Sequence, residues 1–225
     1  MLLWNSFLIA FTALLPIINP LGSALVFLGI AGEAPPDVYR SLARKIAINN
    51  IIFLAIIELL GSAILNFFGI SLPIVQVSGG IVIAAIGWSV LNQPNSEATA
   101  QDKREEASIG PSDTLRNLEQ KAFYPFTFPV TSGPGTLVVV LTLSARTSGG
   151  LIARNIVGHL GLFLAVIVIS ALVYLCYAYA PKITTAISPS TAHGILRVVA
   201  FILLCIGVQI AWNGLSVLLA SLPPR

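Results

Sequence analysis

The chain has 225 residues, of which 56% are hydrophobic and only 9% are charged, and its net charge is +3. Soluble domains carry about 25% charged residues, so this composition excludes a soluble globular domain and predicts an integral membrane protein. Arg and Lys residues stand almost entirely between apolar segments, not in a basic stripe with interleaved aromatics, which argues against nucleic-acid binding.

The first apolar segment carries no charged side chain from Met1 to Gly32, and no Lys or Arg precedes Arg40. Because a secretory signal begins with basic residues, we expect this segment to be retained as a membrane helix. One straight helix of this length would measure about 48 Å against a hydrocarbon core of about 30 Å, so we expect a tilt or a break. The turn sequence Asn19-Pro20-Leu21-Gly22-Ser23 predicts the break.

Five further apolar segments predict five more membrane helices, which gives six in all. They cover residues 46–68, 72–91, 122–145, 152–179 and 194–221. The polar stretch 93–121 holds ten of the 21 charged residues and predicts a solvated connector. It divides the chain into a first unit, residues 1–92, and a second unit, residues 122–225.

Basic residues predict the sides of the membrane. Nine Lys and Arg lie in or beside the first, third and fifth connections, against three on the other side. Since cytoplasmic loops carry the excess of Lys and Arg, these three connections are predicted to be cytoplasmic, including 93–121. Both termini are then expected outside.

The first and fourth segments contain matched helix-breaking sequences. When Pro16 is aligned with Pro129, "PIINPLGSALVFL" matches "PVTSGPGTLVVVL", which pairs Asn19 with Ser132 and Gly22 with Gly135. The second and fifth segments share "LARKI" and "IARNI", and the third and sixth share "AAIGW" and "LCIGV" near Gly87 and Gly207. Because each half holds three helices, an odd number, the second half must enter the membrane from the opposite face. The sequence therefore predicts an all-α fold of two inverted three-helix repeats, with the first and fourth helices broken at the midplane.

The paired breaks predict a small polar site. Helix breaks expose backbone groups that lipid cannot satisfy, and each new helix N-terminus favours an anion or a carbonyl oxygen. The polar side chains at the breaks suit either helix capping or ligand contact, and the sequence leaves both roles open. The predicted substrate-binding residues are Asn19, Pro20, Gly22, Ser23, Ser132, Gly133, Pro134, Gly135 and Thr136.

Other polar side chains fall within the predicted spans. Glu58 is the only acid there, and we predict that it couples transport to a proton or another cation. Asn49 and Asn50 are expected to make interhelical hydrogen bonds, and a lone His159 is expected to be structural. Small residues are expected at close helix contacts, namely Gly79, Gly80, Gly87, Gly158, Gly161, Gly207, Cys176 and Cys205.

The chain resembles a known family in several stretches. "LLPIINPLGSALVFLGIAG", "FGISLPIVQVSGGIVIAAIGWSVL", "FPVTSGPGTLVVVLTLSA" and "ILRVVAFILLCIGVQIAWNGL" are together similar to the MarC family of bacterial inner-membrane proteins. The resemblance spans all six apolar segments, and the Asn-Pro and Gly-Pro-Gly breaks are its most specific parts. It implies six membrane helices and kinship with the LysE-type exporter superfamily, but no substrate. The chain departs from the family at Gln76, where Arg is frequent, and at Ala200, where Gly is usual.

These features favour a secondary transporter of the bacterial inner membrane that exports a small polar solute by rocking one repeat against the other. A non-transporting membrane partner or regulatory protein is the alternative. A channel would need a continuous polar stripe, which the predicted spans lack.

A membrane enzyme is not expected, because the spans offer no cluster of His, Asp, Glu or Cys. No catalytic residue, metal site or cofactor is therefore predicted, and no P-loop provides for ATP drive. The predicted partners are the lipid bilayer and the solute, and a homo-oligomer remains open.

Overall fold

A computed structural model describes residues 2–32, 34–92, 118, 120–147, 152–186 and 189–221, which are almost entirely helical and contain no strand. The helices are α1 (Leu2–Ile18), α2 (Pro20–Ala31), α3 (Pro36–Phe67), α4 (Leu72–Asn92), α5 (Ala122–Thr131), α6 (Pro134–Thr147), α7 (Ile152–Ala178), α8 (Ala180–Ala186) and α9 (Pro189–Ala220). The predicted connector 93–121 lies outside the described residues, apart from Leu118, Gln120 and Lys121.

Four helical segments of the described chain are long and apolar enough to cross a membrane. They are Leu2–Ala31, Leu72–Asn92, Arg154–Ala178 and Arg197–Ala220. A fifth results if Ala122–Thr131 and Pro134–Ala145, which are bent by 72° relative to each other, form one span. The all-helical membrane architecture expected from the sequence is therefore confirmed, with four to five candidate spans.

Helix α7 lies at the centre of the larger group of helices. It packs against α1, α2 and α3, while α3 also contacts α5 and α6. Its buried side chains form part of one apolar core, with Leu162, Ile169 and Tyr177 fully enclosed. This arrangement brings α3, α5, α6 and α7 together around the predicted site.

Helices α4 and α9 form a tightly packed antiparallel pair joined through glycines. A Cβ atom on Gly80 would lie 2.6 Å from the carbonyl oxygen of Gly207, and one on Gly207 would lie 2.7 Å from the carbonyl oxygen of Gly80. A Cβ atom on Gly87 would lie 2.8 Å from the carbonyl oxygen of Ala200. Close packing is thus confirmed here, and it extends to Gly79 beside Val138, Gly158 beside Thr147 and Gly161 beside Ser6.

The contacts of this pair are reciprocal. Gly80 meets Gly207, and the contact of Gly87 with Ala200 is mirrored by that of Gly214 with Pro73. The sequence repeats in the same register, because "GIVIAAIGWSVL" from Gly80 and "GVQIAWNGLSVL" from Gly207 are identical at seven of twelve positions. In this register Gly80 corresponds to Gly207 and Gly87 to Gly214, whereas the sequence analysis aligned Gly87 with Gly207.

The two cysteines differ in burial. Cys176 is half-buried, but Cys205 is exposed on the side of α9 that faces away from α4. The expectation that both pack between helices is therefore wrong for Cys205.

We expect Gly207→Ala to lower the free energy of unfolding by about 1–3 kcal/mol, because its Cβ would press on the α4 backbone. Thermal unfolding in detergent measures the effect as a lower Tm. Gly194→Ala is the matched control on the same helix, since its Cβ would meet nothing within 4 Å. Equal Tm values for the two variants would contradict the stabilising role of the close contact between Gly207 and Gly80.

Candidate functional site

The first break is capped by its own side chains. Asn19 adopts a left-handed backbone conformation with φ of 45°, a region that Asn tolerates better than most residues. Its side-chain oxygen accepts a hydrogen bond from the Gly22 N–H at 3.1 Å. The Ser23 hydroxyl donates to the Ile18 carbonyl at 2.7 Å. Both predicted site residues therefore act as caps of the break.

The second break begins earlier than the sequence analysis placed it. The stretch "YPFTFPVT", residues 124–131, repeats an X-Pro-x-Thr pattern, and each residue before a proline is extended, with φ of −114° and −124°. The two threonines bond to the backbone of the same segment, because the Thr127 hydroxyl donates to the Ala122 carbonyl and the Thr131 hydroxyl to the Phe126 carbonyl, both at 2.7 Å. Both hydroxyls thus bond to the α5 backbone before the bend.

A buried polar chain links α3 and α7 to the bend at Ser132. The Ser132 hydroxyl donates to the side-chain oxygen of Asn50 at 2.6 Å, and the Asn50 amide donates to Ser170 at 3.0 Å. All three side chains are fully buried. The expected interhelical role of Asn50 is confirmed, whereas Asn49 makes no side-chain hydrogen bond within the described residues.

A second polar contact joins the two breaks around Tyr177. The Tyr177 hydroxyl lies 2.9 Å from the Thr131 hydroxyl, and it is the donor because the Thr131 proton is engaged with a carbonyl. Ser23 also approaches Tyr177, and its oxygen lies 3.3 Å from the Val130 carbonyl. The ring of Phe27 stacks on Tyr177 with centroids 4.5 Å apart. The structure therefore places the first break in contact with the second.

Thr136 is the predicted site residue whose polar group is left open. It is 1% exposed, and its hydroxyl has no hydrogen-bond partner among the described residues. It lies in the first turn of α6, directly after the bend, next to a Gly135 whose Cβ would lie 2.9 Å from Ile83. A buried hydroxyl without a partner is destabilising by about 1–3 kcal/mol, so it requires an explanation.

The remaining predicted residues shape the backbone of the breaks. Pro20 and Gly22 are buried at the start of α2, Gly133 is half-buried and Pro134 is exposed. The structure thus brings residues of both breaks into one region, where the Thr136 hydroxyl is buried without a partner among the described residues.

Glu58 and His159 form a pair apart from the breaks. One carboxyl oxygen of Glu58 lies 3.2 Å from Nδ1 of His159, and Nε2 of His159 lies 3.2 Å from the Thr147 hydroxyl. Glu58 is 3% exposed and His159 is half-buried. Glu58 lies eight residues after Asn50 on α3, which is about 12 Å along the helix axis. The pair is therefore separate from the polar chain at the bend.

A cavity of about 380 Å³ lies at another place, between the start of α3 and the turn from α7 to α8. Arg40 and Lys182 line it together with two tyrosines, and none of the predicted site residues does. In the described part of the chain, no three His, Cys, Asp or Glu side chains are grouped as a metal site would require.

Sequence reasoning missed several residues of this site. Tyr177 and Ser170 lie on α7 without a motif, so no local signal could identify them. Thr127 and Thr131 do carry a signal, because the repeated X-Pro-x-Thr pattern places a hydroxyl donor two residues after each proline. The Asn50 amide could be placed on a helix interface, but its partners could not be named.

We expect Asn50→Ala to lower the free energy of unfolding by about 1–3 kcal/mol, because it leaves the buried Ser132 and Ser170 hydroxyls without their shared partner. Thermal unfolding in detergent measures the loss. Asn49→Ala is the matched control, with an expected change within about 0.5 kcal/mol. If both variants unfold at the same temperature, the polar chain does not stabilise the bend.

Comparisons with known proteins agree with this description. The family model for MarC family integral membrane proteins matches residues 4–219. The inner membrane protein MarC of Salmonella paratyphi A is 30% identical over 217 residues, covering 89% of this chain and 90% of the relative. MarC of Citrobacter koseri is 28% identical over 206 residues, with the same coverage.

The match extends to archaea. The membrane protein PH0760 of Pyrococcus horikoshii is 29% identical over 153 residues, covering 68% of this chain and 71% of the relative. No solved structure matches the chain. The bacterial relatives are named inner membrane proteins, which agrees with the predicted localisation and with the apolar helices described above. This chain is a multi-pass membrane protein that belongs to the MarC family.

Proposed function

We propose that this protein is a secondary transporter that exports a small polar solute across the inner membrane. The observation that carries the proposal is the buried polar site at the two helix breaks, with Thr136 left unpartnered at the start of α6 among the described residues. Irregular backbone at membrane depth is tolerated only where protein or a wet cavity surrounds it, and transporters use such breaks to bind substrate.

The proposed architecture has six spans arranged as two inverted repeats, residues 1–92 and 122–225. Helix α3, with 32 residues, supplies the sixth span beside the four apolar segments and the bent pair. The reciprocal contacts of α4 with α9 support a two-fold axis perpendicular to these antiparallel helices, as inversion requires. The other helix contacts agree with this axis, because the packing of α1 against α7 corresponds to the packing of α5 and α6 against α3.

The proposed substrate site uses the groups that capping leaves free. Asn19 and Ser23 hold the first break, and Thr131 and Ser132 hold the second. The Thr136 hydroxyl at the N-terminus of α6 suits a solute oxygen such as a carbonyl or carboxylate. Rocking of one repeat against the other would expose this site first to one side and then to the other.

Proton coupling is proposed for Glu58 with His159 as its partner. The carboxyl is buried on α3, while the half-buried imidazole on α7 connects it to the Thr147 hydroxyl on α6. A titratable pair shared by three helices can link a protonation change to their relative positions. The excess of Lys and Arg beside the odd connections supports cytoplasmic placement of 93–121 and termini on the outside.

We expect Thr136→Val to lower solute flux into or out of proteoliposomes by about tenfold, the effect of losing one well-placed hydrogen bond to substrate. Its Tm should stay level or rise, because the hydroxyl that it removes has no partner among the described residues. Flux is screened with labelled amino acids, sugars and organic anions.

Thr142→Val is the matched control for that variant. Thr142 is on the same helix, is buried, and also lacks a hydrogen-bond partner within the described residues, but it is six residues beyond Thr136. We expect its flux to equal that of the wild type. Equal flux in all three proteins would place the substrate elsewhere, and no flux of any solute in the wild type would contradict the transporter.

We expect Glu58→Gln to abolish the acceleration of flux by a pH gradient while leaving solute exchange without a gradient within about twofold of the wild type. The amide keeps the shape and a hydrogen bond to His159 but cannot exchange a proton. Flux measured with and without the gradient separates the two effects. A Glu58→Gln protein that still responds to the gradient would exclude this carboxyl as the coupling group.

A further inference from the structure

Helix α9 carries a line of polar side chains on its outer surface. Cys205, Gln209, Asn213 and Ser216, here called the α9 stripe, follow one another at intervals of three or four residues and so share one face of the helix. Cys205, Gln209 and Ser216 are exposed and Asn213 is half-buried. The Gln209 amide donates to the Asn213 side-chain oxygen at 3.0 Å.

The α9 stripe lies at membrane depth. The apolar span of this helix is Arg197–Ala220, with 24 residues, and Gln209 stands at its middle. Apart from their bond to each other, the side-chain amides of Gln209 and Asn213 have no hydrogen bond to any described residue. Lipid tails offer no partner to the remaining donors and acceptors, so a lipid-facing position would leave them unsatisfied.

The α9 stripe also points away from the other described helices. Gly207, the centre of the contact with α4, is two residues from both Cys205 and Gln209, which places them about 160° around the helix. Val208 and Trp212 beside the stripe are 57% and 59% exposed. The stripe therefore faces out of the bundle, not into the site at the breaks.

The corresponding face of α4 differs in chemistry. In the register that pairs Gly80 with Gly207, Gln209 corresponds to Val82 and Asn213 to Ile86. Val82 and Ile86 are 43% and 41% exposed, and their apolar side chains suit contact with lipid. At these corresponding positions α4 thus exposes apolar side chains, whereas α9 carries amides.

We propose that the α9 stripe is the contact surface between two copies of this chain in the membrane. Both copies insert in the same orientation, so a two-fold axis along the membrane normal brings each residue of the stripe to the same depth in its partner. An amide carries both donors and an acceptor, so two identical stripes satisfy each other. Polar side chains of this kind associate membrane helices.

The test uses the full chain in native membrane vesicles with Cys176→Ser, which leaves Cys205 as the single thiol. A short bis-maleimide reagent joins two thiols that lie close together. We expect a covalent dimer through Cys205. The matched control carries Ser78→Cys with both native cysteines replaced by Ser, which moves the thiol to the corresponding α4 position. We expect no covalent dimer from it, because Ser78 is exposed on α4 and lies outside the α9 stripe.

A second variant tests the amides themselves. Gln209→Val with Asn213→Ile installs the α4 residues on α9, and we expect it to raise the dissociation constant of the dimer at least about tenfold, as loss of a few interhelical hydrogen bonds implies. Analytical ultracentrifugation in detergent measures the dimer fraction at equal protein concentration. An unchanged dimer fraction would overturn the role of the amides.

Two results would overturn the proposed surface itself. One is a Cys205 cross-linking yield in the Cys176→Ser protein that is no higher than the yield of the Ser78→Cys control. This comparison does not depend on whether the Gln209→Val, Asn213→Ile variant folds. The other is a monomeric protein whose Cys205 reacts rapidly with a water-soluble maleimide, because the stripe would then line an aqueous path. The dimer test is independent of transport, so its outcome does not depend on the proposed function.

Discussion

The constraint on which this structure depends is that backbone polar groups in a membrane must be satisfied by the protein itself. At both helix interruptions polar side chains bond to the nearby backbone. Asn19 and Ser23 do so at the first, and Thr127 and Thr131 do so just before the second. Where side chains bond to the backbone in this way, a buried side chain whose hydroxyl has no hydrogen-bond partner requires another explanation. Thr136 is such a side chain among the described residues, and the proposed site rests on it.

The same constraint explains how the helices approach one another. Without a hydrophobic driving force between helices in lipid, close backbone contact and buried hydrogen bonds hold them together. Gly80 and Gly207 permit the first between α4 and α9, and Asn50 supplies the second between α3, the bend and α7. Helices α3 and α7 therefore share buried hydrogen bonds with the bend. Helices α4 and α9 are joined by their glycine contacts, and many of their side chains are exposed on their outward surface. The amides on that outward surface have the same requirement for partners, and a second copy of the chain can meet it.

Polar groups inside the bundle also define what a transport cycle would change. The Ser132–Asn50–Ser170 chain and the Tyr177–Thr131 contact join α3, α5 and α7 at the bend. The Glu58–His159 pair joins α3 and α7 about two helical turns away. In the proposed transporter, movement of one repeat against the other would exchange the partners of Asn50 and Glu58, whose bonds cross between residues 1–92 and 122–225. Solute binding at the bend and protonation of the pair would then act on the same helices.

The sequence by itself determined the membrane class and the family, because long apolar segments and the motifs at Pro, Asn and Gly are readable without the fold. It also predicted which glycines lie at close helix contacts. It also contained the repeat that begins at Gly80 and again at Gly207, which the backbone contact between these two glycines made evident. Only the tertiary structure decided which polar side chains meet. His159 joins Glu58 and Asn50 joins Ser170 from distant parts of the chain, and no periodicity in one helix specifies its partner in another. Exposure of Cys205 was decided in the same way, since a helix buries the face that its neighbours cover, and those neighbours are set by packing.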